Sequence, residues 1–122
     1  MGNENVIKRK SLAFAKRIVH VYRYLCDEKK EYILSKQLLR SGTSIGANIA
    51  EAQYGSSRKD FLAKLYISLR ECAETLYWLE LLHSCDYFTD SEYQSLQTDC
   101  EELRRLLASI TKSTRDGKIS NS

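Results

Sequence analysis

The sequence contains no proline, and it has no glycine between Gly55 and Gly117. Because these two residue types are the strongest helix breakers, nothing in the second half of the chain interrupts a long helix. No apolar run approaches the roughly 20 residues that a membrane-spanning helix needs. The basic N-terminus is not followed by the apolar core of a secretory signal. We therefore expect long helices in a cytoplasmic protein that makes no membrane contact.

Cysteine is present but lacks the C-x-x-C spacing of zinc and redox motifs. Cys72 and Cys100 fall on apolar helical stripes, where a free thiol packs as a small apolar group. A chain of 122 residues can bury one core without disulfides. The sequence therefore predicts reduced thiols and a single domain over residues 1–111. The polar segment 112–122 has little to bury and is expected to form a flexible tail.

Apolar residues recur at steps of three and four in four segments, which is the spacing of amphipathic helices. The expected segments run from Ile7 to Leu25, from Ser35 to Tyr54 and Gly55, from Phe61 to His83, and from Tyr93 to Ile110. Four such helices joined by short turns predict an all-α fold, an antiparallel up-down-up-down four-helix bundle.

Local signals mark some of the helix ends. Ser57 with Asp60, and Thr89 with Glu92, have the spacing of capping boxes and predict the starts of the third and fourth helices. Gly55 is expected to end the second helix in the left-handed conformation. The first turn, within the stretch CDEKKEY, carries no such signal.

The stretch RSGTSIGANIAEA, residues 40–52, holds small side chains where a helix normally has bulk. Gly42, Gly46 and Ala50 are spaced four apart and line one face, so they predict a groove for a neighbouring helix. Two occupants are open: a helix of the same bundle, which fills the groove with Phe14 or Trp78, or a helix of another subunit.

Asn48 lies on the apolar seam of the second helix and needs hydrogen-bonding partners if it is buried. Polar residues on the second and third helices are close enough in an antiparallel arrangement to provide them. The sequence predicts a structural polar cluster that fixes register or assembly. Its members are Arg40, Ser44, Asn48, Glu51, Glu71 and Glu74.

The segments QLLRSGTSIGANIAEA and SSRKDFLAKLYISLRECAETLYWLELL resemble the four-helix-bundle family of proteins encoded in intervening sequences of bacterial large-subunit ribosomal RNA genes. The chain is also similar, more distantly, to the accessory variability proteins of diversity-generating retroelements. The resemblance implies a homopentameric barrel without enzymatic activity. In the retroelement relatives it also implies binding to nucleic acid and to a reverse transcriptase. The chain lacks the proline that many relatives carry between the first two helices.

The charge is unevenly distributed along the chain. Residues 1–70 hold 14 Lys and Arg against 6 Asp and Glu, whereas residues 71–122 hold 5 against 10. A basic half can bind RNA or DNA, can contact the acidic half of another subunit, or can be a solvated helix face. The candidate nucleic-acid-binding residues are Lys8, Arg9, Lys10, Lys16, Arg17, Arg23, Arg58 and Lys59.

The eight tyrosines suggest a surface on which bases of single-stranded nucleic acid stack. Most of them, however, lie beside Leu or Ile at helical spacing. Tyr22, Tyr66 and Tyr77 are therefore expected at the core boundary, with buried rings and exposed hydroxyls, and Trp78 is expected to be a packing anchor.

Sequence motifs for catalysis or metal binding are sparse. Glu80 and His83 form one E-x-x-H motif, but a di-iron bundle needs two such motifs and two further glutamates. Cys26, His83 and Cys85 can meet at one end of the bundle, yet their spacing is poor for zinc. We expect no cofactor, no metal and no enzymatic activity. The preferred function is nucleic-acid binding by a homo-oligomer, and the alternative is a protein-interaction adaptor or scaffold.

Overall fold

Four helices form nearly all of the protein in a computed structural model that describes residues 2–117. Their bounds are Gly2–Asp27 for α1, Leu34–Ala52 for α2, Arg58–Ser84 for α3 and Asp90–Arg115 for α4. Since this part of the chain contains no strand, the predicted all-α four-helix bundle is confirmed. None of the four helices is both long and apolar enough to span a membrane, as far as residues 2–117 are concerned.

Contacts between the helices show that neighbours in the bundle run antiparallel. Along α2 and α3, Ser41 lies beside Thr75, whereas the later Ile45 lies beside the earlier Ser68. Within the described chain, α1 packs against α2 and α4, and α3 packs against the same two helices. The helices α1 and α3 are therefore diagonal, with their N-termini at the same end of the bundle.

The core is formed by the predicted apolar stripes of all four helices. Ile18, Leu38, Leu79 and Leu107 are completely buried. Small polar side chains lie among them where helices approach closely. Most of their hydroxyls donate to a carbonyl of their own helix. The Thr75 hydroxyl, for example, donates to the Glu71 carbonyl, 2.7 Å away. Ser68 donates to the Ile45 carbonyl of α2, and the buried Thr114 hydroxyl has no partner within residues 2–117. The core is thus apolar with narrow polar contacts between α2 and α3.

The N-termini of α3 and α4 follow the predicted signals. The Ser57 side chain accepts from the Asp60 amide, and Thr89 with Glu92 forms a complete capping box. The cap of α2 had no recognisable sequence signal. There the Glu31 carboxylate accepts from the amides of Leu34 and Ser35, at 3.1 and 2.7 Å. The negative charge of Glu31 lies at the N-terminus of α2, the positive end of the helix dipole, and this favours the arrangement.

Two expected helix ends are corrected. The helix α2 ends at Ala52, and Gly55 does not adopt a left-handed φ; a Cβ there would instead lie 3.1 Å from the Phe61 amide nitrogen. The expected tail boundary at residue 111 is wrong, because α4 continues to Arg115 and fully buries Thr114. The remainder of the predicted tail, residues 118–122, lies outside the described residues.

Candidate nucleic-acid interface

The outer side of α1 carries a line of exposed cations. Arg9, Lys16 and Arg23 follow one another at intervals of seven residues, which places them on one face about 10 Å apart. Lys8 is exposed beside this line. Residues 2–117 offer none of these four side chains an ion-pair partner. We call Arg9, Lys16 and Arg23 the α1 basic stripe.

Lys10 and Arg17 face α4 and form ion pairs with it. The Lys10 Nζ lies 3.0 Å from a Glu102 carboxylate oxygen, and the Arg17 guanidinium lies 2.7 Å from Asp99. Arg17 also donates to the Ser95 hydroxyl at 2.7 Å. These two predicted binding residues therefore bridge the seam between α1 and α4, where their charge is already compensated.

Arg58 and Lys59 lie at the start of α3, near the end of the bundle where α1 begins. Both are exposed. The antiparallel order also brings the C-terminus of α4 to this end, and an added Cβ at Gly117 would lie 3.7 Å from an Arg58 guanidinium nitrogen. The structure therefore brings Arg58 and Lys59 to the end of the bundle where α1 begins, although they lie on the helix diagonal to the α1 basic stripe.

The glycine face of α2 is covered by α1 of the same chain. A Cβ at Gly42 would lie 2.9 Å from Ile18 Cγ1, and a Cβ at Gly46 would lie 3.3 Å from the Ser11 carbonyl oxygen. Of the two occupants that the sequence left open, a helix of the same bundle is therefore the one that covers Gly42 and Gly46. The expected filling residues, Phe14 and Trp78, are wrong, because Ile18 and Ser11 occupy these positions.

Beside this contact, an open apolar groove runs between α1 and α2. Its volume is about 330 Å³. Leu12 is 59% exposed, and Ala47 and Ala50 are exposed as well. Ala50 therefore does not continue the buried contact of Gly42 and Gly46. We call this surface the α1–α2 groove; it is lined by Lys8, Ser11, Leu12, Ala15, Thr43, Gly46, Ala47, Ile49 and Ala50.

The predicted polar cluster is only partly assembled. The Arg40 guanidinium bridges Glu71 and Glu74, and Glu74 also accepts from the Trp78 indole at 3.0 Å. These bonds hold the pKa of the Glu74 carboxyl below its usual value, the Arg40 contact being the larger cause, and the same contact raises the pKa of Arg40. The bridge joins α2 to α3.

The other predicted members of the cluster lie apart from this bridge. The half-buried Asn48 amide donates to the Ser44 carbonyl one turn earlier, at 2.8 Å, and the Ser44 hydroxyl donates to the Arg40 carbonyl. Glu51 pairs with Lys64 at 2.7 Å. The partner of Asn48 is therefore Ser44, one of the predicted members on its own helix, and not Glu71 or Glu74 of α3.

The Arg40 bridge predicts a pH-dependent contribution to stability. Because the pKa of Glu74 is lower in the folded than in the unfolded chain, the bridge stabilises the fold above the usual glutamate pKa. That stabilisation is lost as the pH falls through the folded-state pKa. In urea denaturation we expect Arg40→Gln to cost less than about 1 kcal/mol at pH 7, since the bridge is partly solvent-exposed. At pH 3 the cost should be smaller still.

Lys64→Gln is the matched control, because it removes an ion pair between the same two helices whose carboxylate residue is 60% exposed. Its loss of stability should be smaller than that of Arg40→Gln at pH 7. An equal loss for Arg40→Gln at pH 3 and pH 7 contradicts the assignment of Glu74 as the titrating partner.

Tyr66 and Tyr77 lie on the outer side of α3 rather than at the core boundary. They are 40% and 56% exposed, whereas Tyr22 is half-buried as expected. The expectation that the rings of Tyr66 and Tyr77 are buried is therefore wrong. Trp78 is half-buried and packs against the core, as predicted for an anchor.

His83, the histidine of the single E-x-x-H motif, is engaged at the turn between α3 and α4. Its Nε2 lies 2.7 Å from an Asp90 carboxylate oxygen, and its ring stacks on Tyr93 with centroids 4.3 Å apart. Glu80 is exposed. Across residues 2–117, no three His, Cys, Asp or Glu side chains are grouped closely enough to hold a metal ion.

Comparisons with known proteins agree with this architecture. The model of the 23S rRNA-intervening sequence protein family matches residues 3–109. A crystal structure of a protein with unknown function from the S23 ribosomal protein family, from Bacteroides thetaiotaomicron VPI-5482, is similar, with 55% sequence identity and a TM-score of 0.90. The alignment covers 90% of this chain and 98% of that one. Among curated proteins, none matches the chain.

Proposed function

Because the chain belongs to the 23S rRNA-intervening sequence protein family and carries uncompensated cations on α1, we propose that it binds RNA or another nucleic acid. In this proposal the protein has no enzymatic activity and acts as a homo-oligomer. Each subunit supplies the same basic surface, so an assembly repeats it and adds the contributions of counterion release.

The observation that carries this proposal is the α1 basic stripe. Lys10 and Arg17 show what happens when a cation on α1 can reach an acid of the same bundle: it forms an ion pair. The three cations of the α1 basic stripe, by contrast, have no acidic ion-pair partner within residues 2–117. A line of uncompensated cations about 10 Å apart is suited to a polyanion, which it contacts through phosphates without reading base sequence.

The self-association in this proposal is supported by the α1–α2 groove. Leu12, Ala47 and Ala50 form an exposed apolar surface that a second chain can cover. The occupant we propose is a second copy of the chain, because a net positive first half and a net negative second half make two copies electrostatically complementary. The resemblance described in the sequence analysis, to the intervening-sequence proteins first of all, favours a pentamer.

A protein-interaction adaptor is the second candidate. The same groove can receive an apolar helix of another protein. The similarity to the retroelement proteins implies a reverse transcriptase as that partner. In this alternative the α1 basic stripe is a solvated face. The two candidates differ in salt dependence, because phosphate contacts weaken steeply with added salt and apolar contacts do not.

The test is binding of a fluorescently labelled RNA, followed by anisotropy between about 50 and 200 mM salt. We expect affinity to fall steeply across this range. Lys16→Gln should weaken binding to all sequences alike and should reduce the slope of log K against log salt by about one. Lys16 is the better probe than Arg17, whose loss also opens the seam to α4.

Lys36→Gln provides the control, since it removes one exposed charge from α2 and none from the α1 basic stripe. It should leave the slope unchanged. A wild-type protein that does not bind RNA at low salt contradicts the proposed function, and salt-insensitive capture of a protein partner supports the adaptor instead.

A further inference from the structure

The outer face of α3 carries tyrosines interleaved with cations. Lys59, Tyr66, Arg70 and Tyr77 are spaced by seven, four and seven residues, so they lie along one line of the helix. All four are exposed. We call these four residues the α3 tyrosine stripe. The positions between them on the same line, Ala63 and Ala73, are small and exposed, so nothing bulky separates the rings from the cations.

The cations of this stripe form no ion pair within the described chain. Residues 2–117 give Lys59 and Arg70 no ion-pair partner. Asp60 accepts from Ser56, and its pKa is lowered mainly by that hydrogen bond and in smaller part by the charge of Lys59, whereas Glu71 pairs with Arg40. Lys59 is therefore partly balanced by Asp60, and Arg70 is the cation most available to an external ligand.

The ring of Tyr77 is held in place by its neighbour. It packs edge to face on Trp78, with ring centroids 5.1 Å apart and planes inclined by 70°. Trp78 is in turn fixed by the hydrogen bond from its indole to Glu74. Tyr77 as a residue is 56% exposed, so its supported ring offers an ordered stacking surface, and little conformational entropy is lost when a flat ligand binds it.

We propose that the α3 tyrosine stripe binds single-stranded nucleic acid, with bases stacked on Tyr66 and Tyr77 and phosphates held by Lys59 and Arg70. Stacking needs unpaired bases, which a duplex does not present, and an aromatic surface flanked by cations is how proteins track single strands. Tyr66 and Tyr77 lie about 16 Å apart along α3, so each ring receives a different base.

This inference rests on the proposed nucleic-acid binding and adds the form of the ligand. The α1 basic stripe lies on the diagonally opposite helix and contains no tyrosine. It suits phosphates of single or double strands alike. The two surfaces therefore make different predictions: the α1 basic stripe affects every nucleic acid, whereas the α3 tyrosines affect single strands only.

The experiment compares a single-stranded RNA of about 12 nucleotides with a duplex of the same length, by anisotropy at one salt concentration. Tyr66→Ala and Tyr77→Ala should each weaken single-strand binding by roughly 5- to 150-fold and leave duplex binding unchanged. Tyr66→Phe and Tyr77→Phe keep the ring and should retain single-strand binding. Tyr32→Ala, which removes a 51% exposed ring from the turn before α2, is the matched control and should have no effect.

The outcomes separate this inference from the proposed function. If Lys16→Gln weakens binding while both alanine variants bind single strands like the wild type, the α3 inference is overturned and the proposed function stands. A smaller solution mass of the alanine variants overturns the inference as well, because the stripe is then a contact between subunits. A wild-type protein that binds neither the single-stranded RNA nor the duplex overturns both the α3 inference and the proposed function.

Discussion

Gly42→Leu is expected to destabilise the folded bundle by about 1–3 kcal/mol or more, because the space beside Gly42 is already filled. A Cβ alone would lie 2.9 Å from Cγ1 of Ile18, a side chain that is completely buried and cannot move into solvent. Leucine adds three further carbons. The better helix propensity of leucine returns only about 0.5–1 kcal/mol. Urea denaturation followed by circular dichroism measures the difference.

A compensating substitution identifies Ile18 as the cause. Ile18→Ala alone creates a cavity and should cost about 2–5 kcal/mol, but it also removes the atoms that collide with a larger residue at position 42. The double variant Gly42→Leu, Ile18→Ala should therefore lose less stability than the sum of the two single variants. Gln37→Leu, at an exposed position of α2, should be close to neutral. Additive losses in the double variant contradict direct contact between residues 18 and 42.

Leu12→Glu is expected to dissociate the homo-oligomer while each bundle stays folded. Leu12 is 59% exposed in the single chain, so glutamate is tolerated there and should change monomer stability by no more than about 0.5 kcal/mol. In an assembly that covers the α1–α2 groove, the same carboxylate is removed from water at an apolar contact, which costs several kcal/mol. Solution mass and circular dichroism, measured on the same sample, separate the two effects.

The control for this variant adds the same charge elsewhere. Ala108 is exposed on α4, away from the α1–α2 groove, and Ala108→Glu should retain the wild-type mass. If Leu12→Glu also retains it, the groove does not hold subunits together, and the proposed assembly uses another surface. A loss of helicity in Leu12→Glu contradicts the placement of Leu12 outside the core.

These two substitutions divide the small-residue stretch of α2 into two contacts. Gly42 and Gly46 allow α1 of the same chain to approach, which the spacing of the glycines predicted without identifying the helix that approaches. Ala47 and Ala50 extend the run of small residues to the exposed side of α2, where they line the α1–α2 groove. Periodicity could not assign these contacts, because an apolar face shows that a helix is covered there and not which helix covers it.

Charge shows the same limit of sequence reasoning. The sequence identified every cation on α1, yet it treated Lys10 and Arg17 like Lys16. Only the packing of α1 against α4 brings Glu102 and Asp99 within 3.0 and 2.7 Å of the first two. The partners are more than eighty residues away in sequence, and their register depends on how two helices slide along each other.

The sequence by itself determined the helical class, the single bundle and the starts of α3 and α4, because these depend on periodicity and on hydrogen bonds between residues three positions apart. Only the tertiary structure decided that Ile18 covers Gly42, that Asn48 is satisfied within α2, and that Tyr66 and Tyr77 lie outside the core. The physical reason is that the apolar stripe of α3 is broad, so the sequence does not show which of its edges the neighbouring helices cover. The rotation of each helix about its axis is set by the packing of all four, and that rotation determines which tyrosines and cations reach solvent.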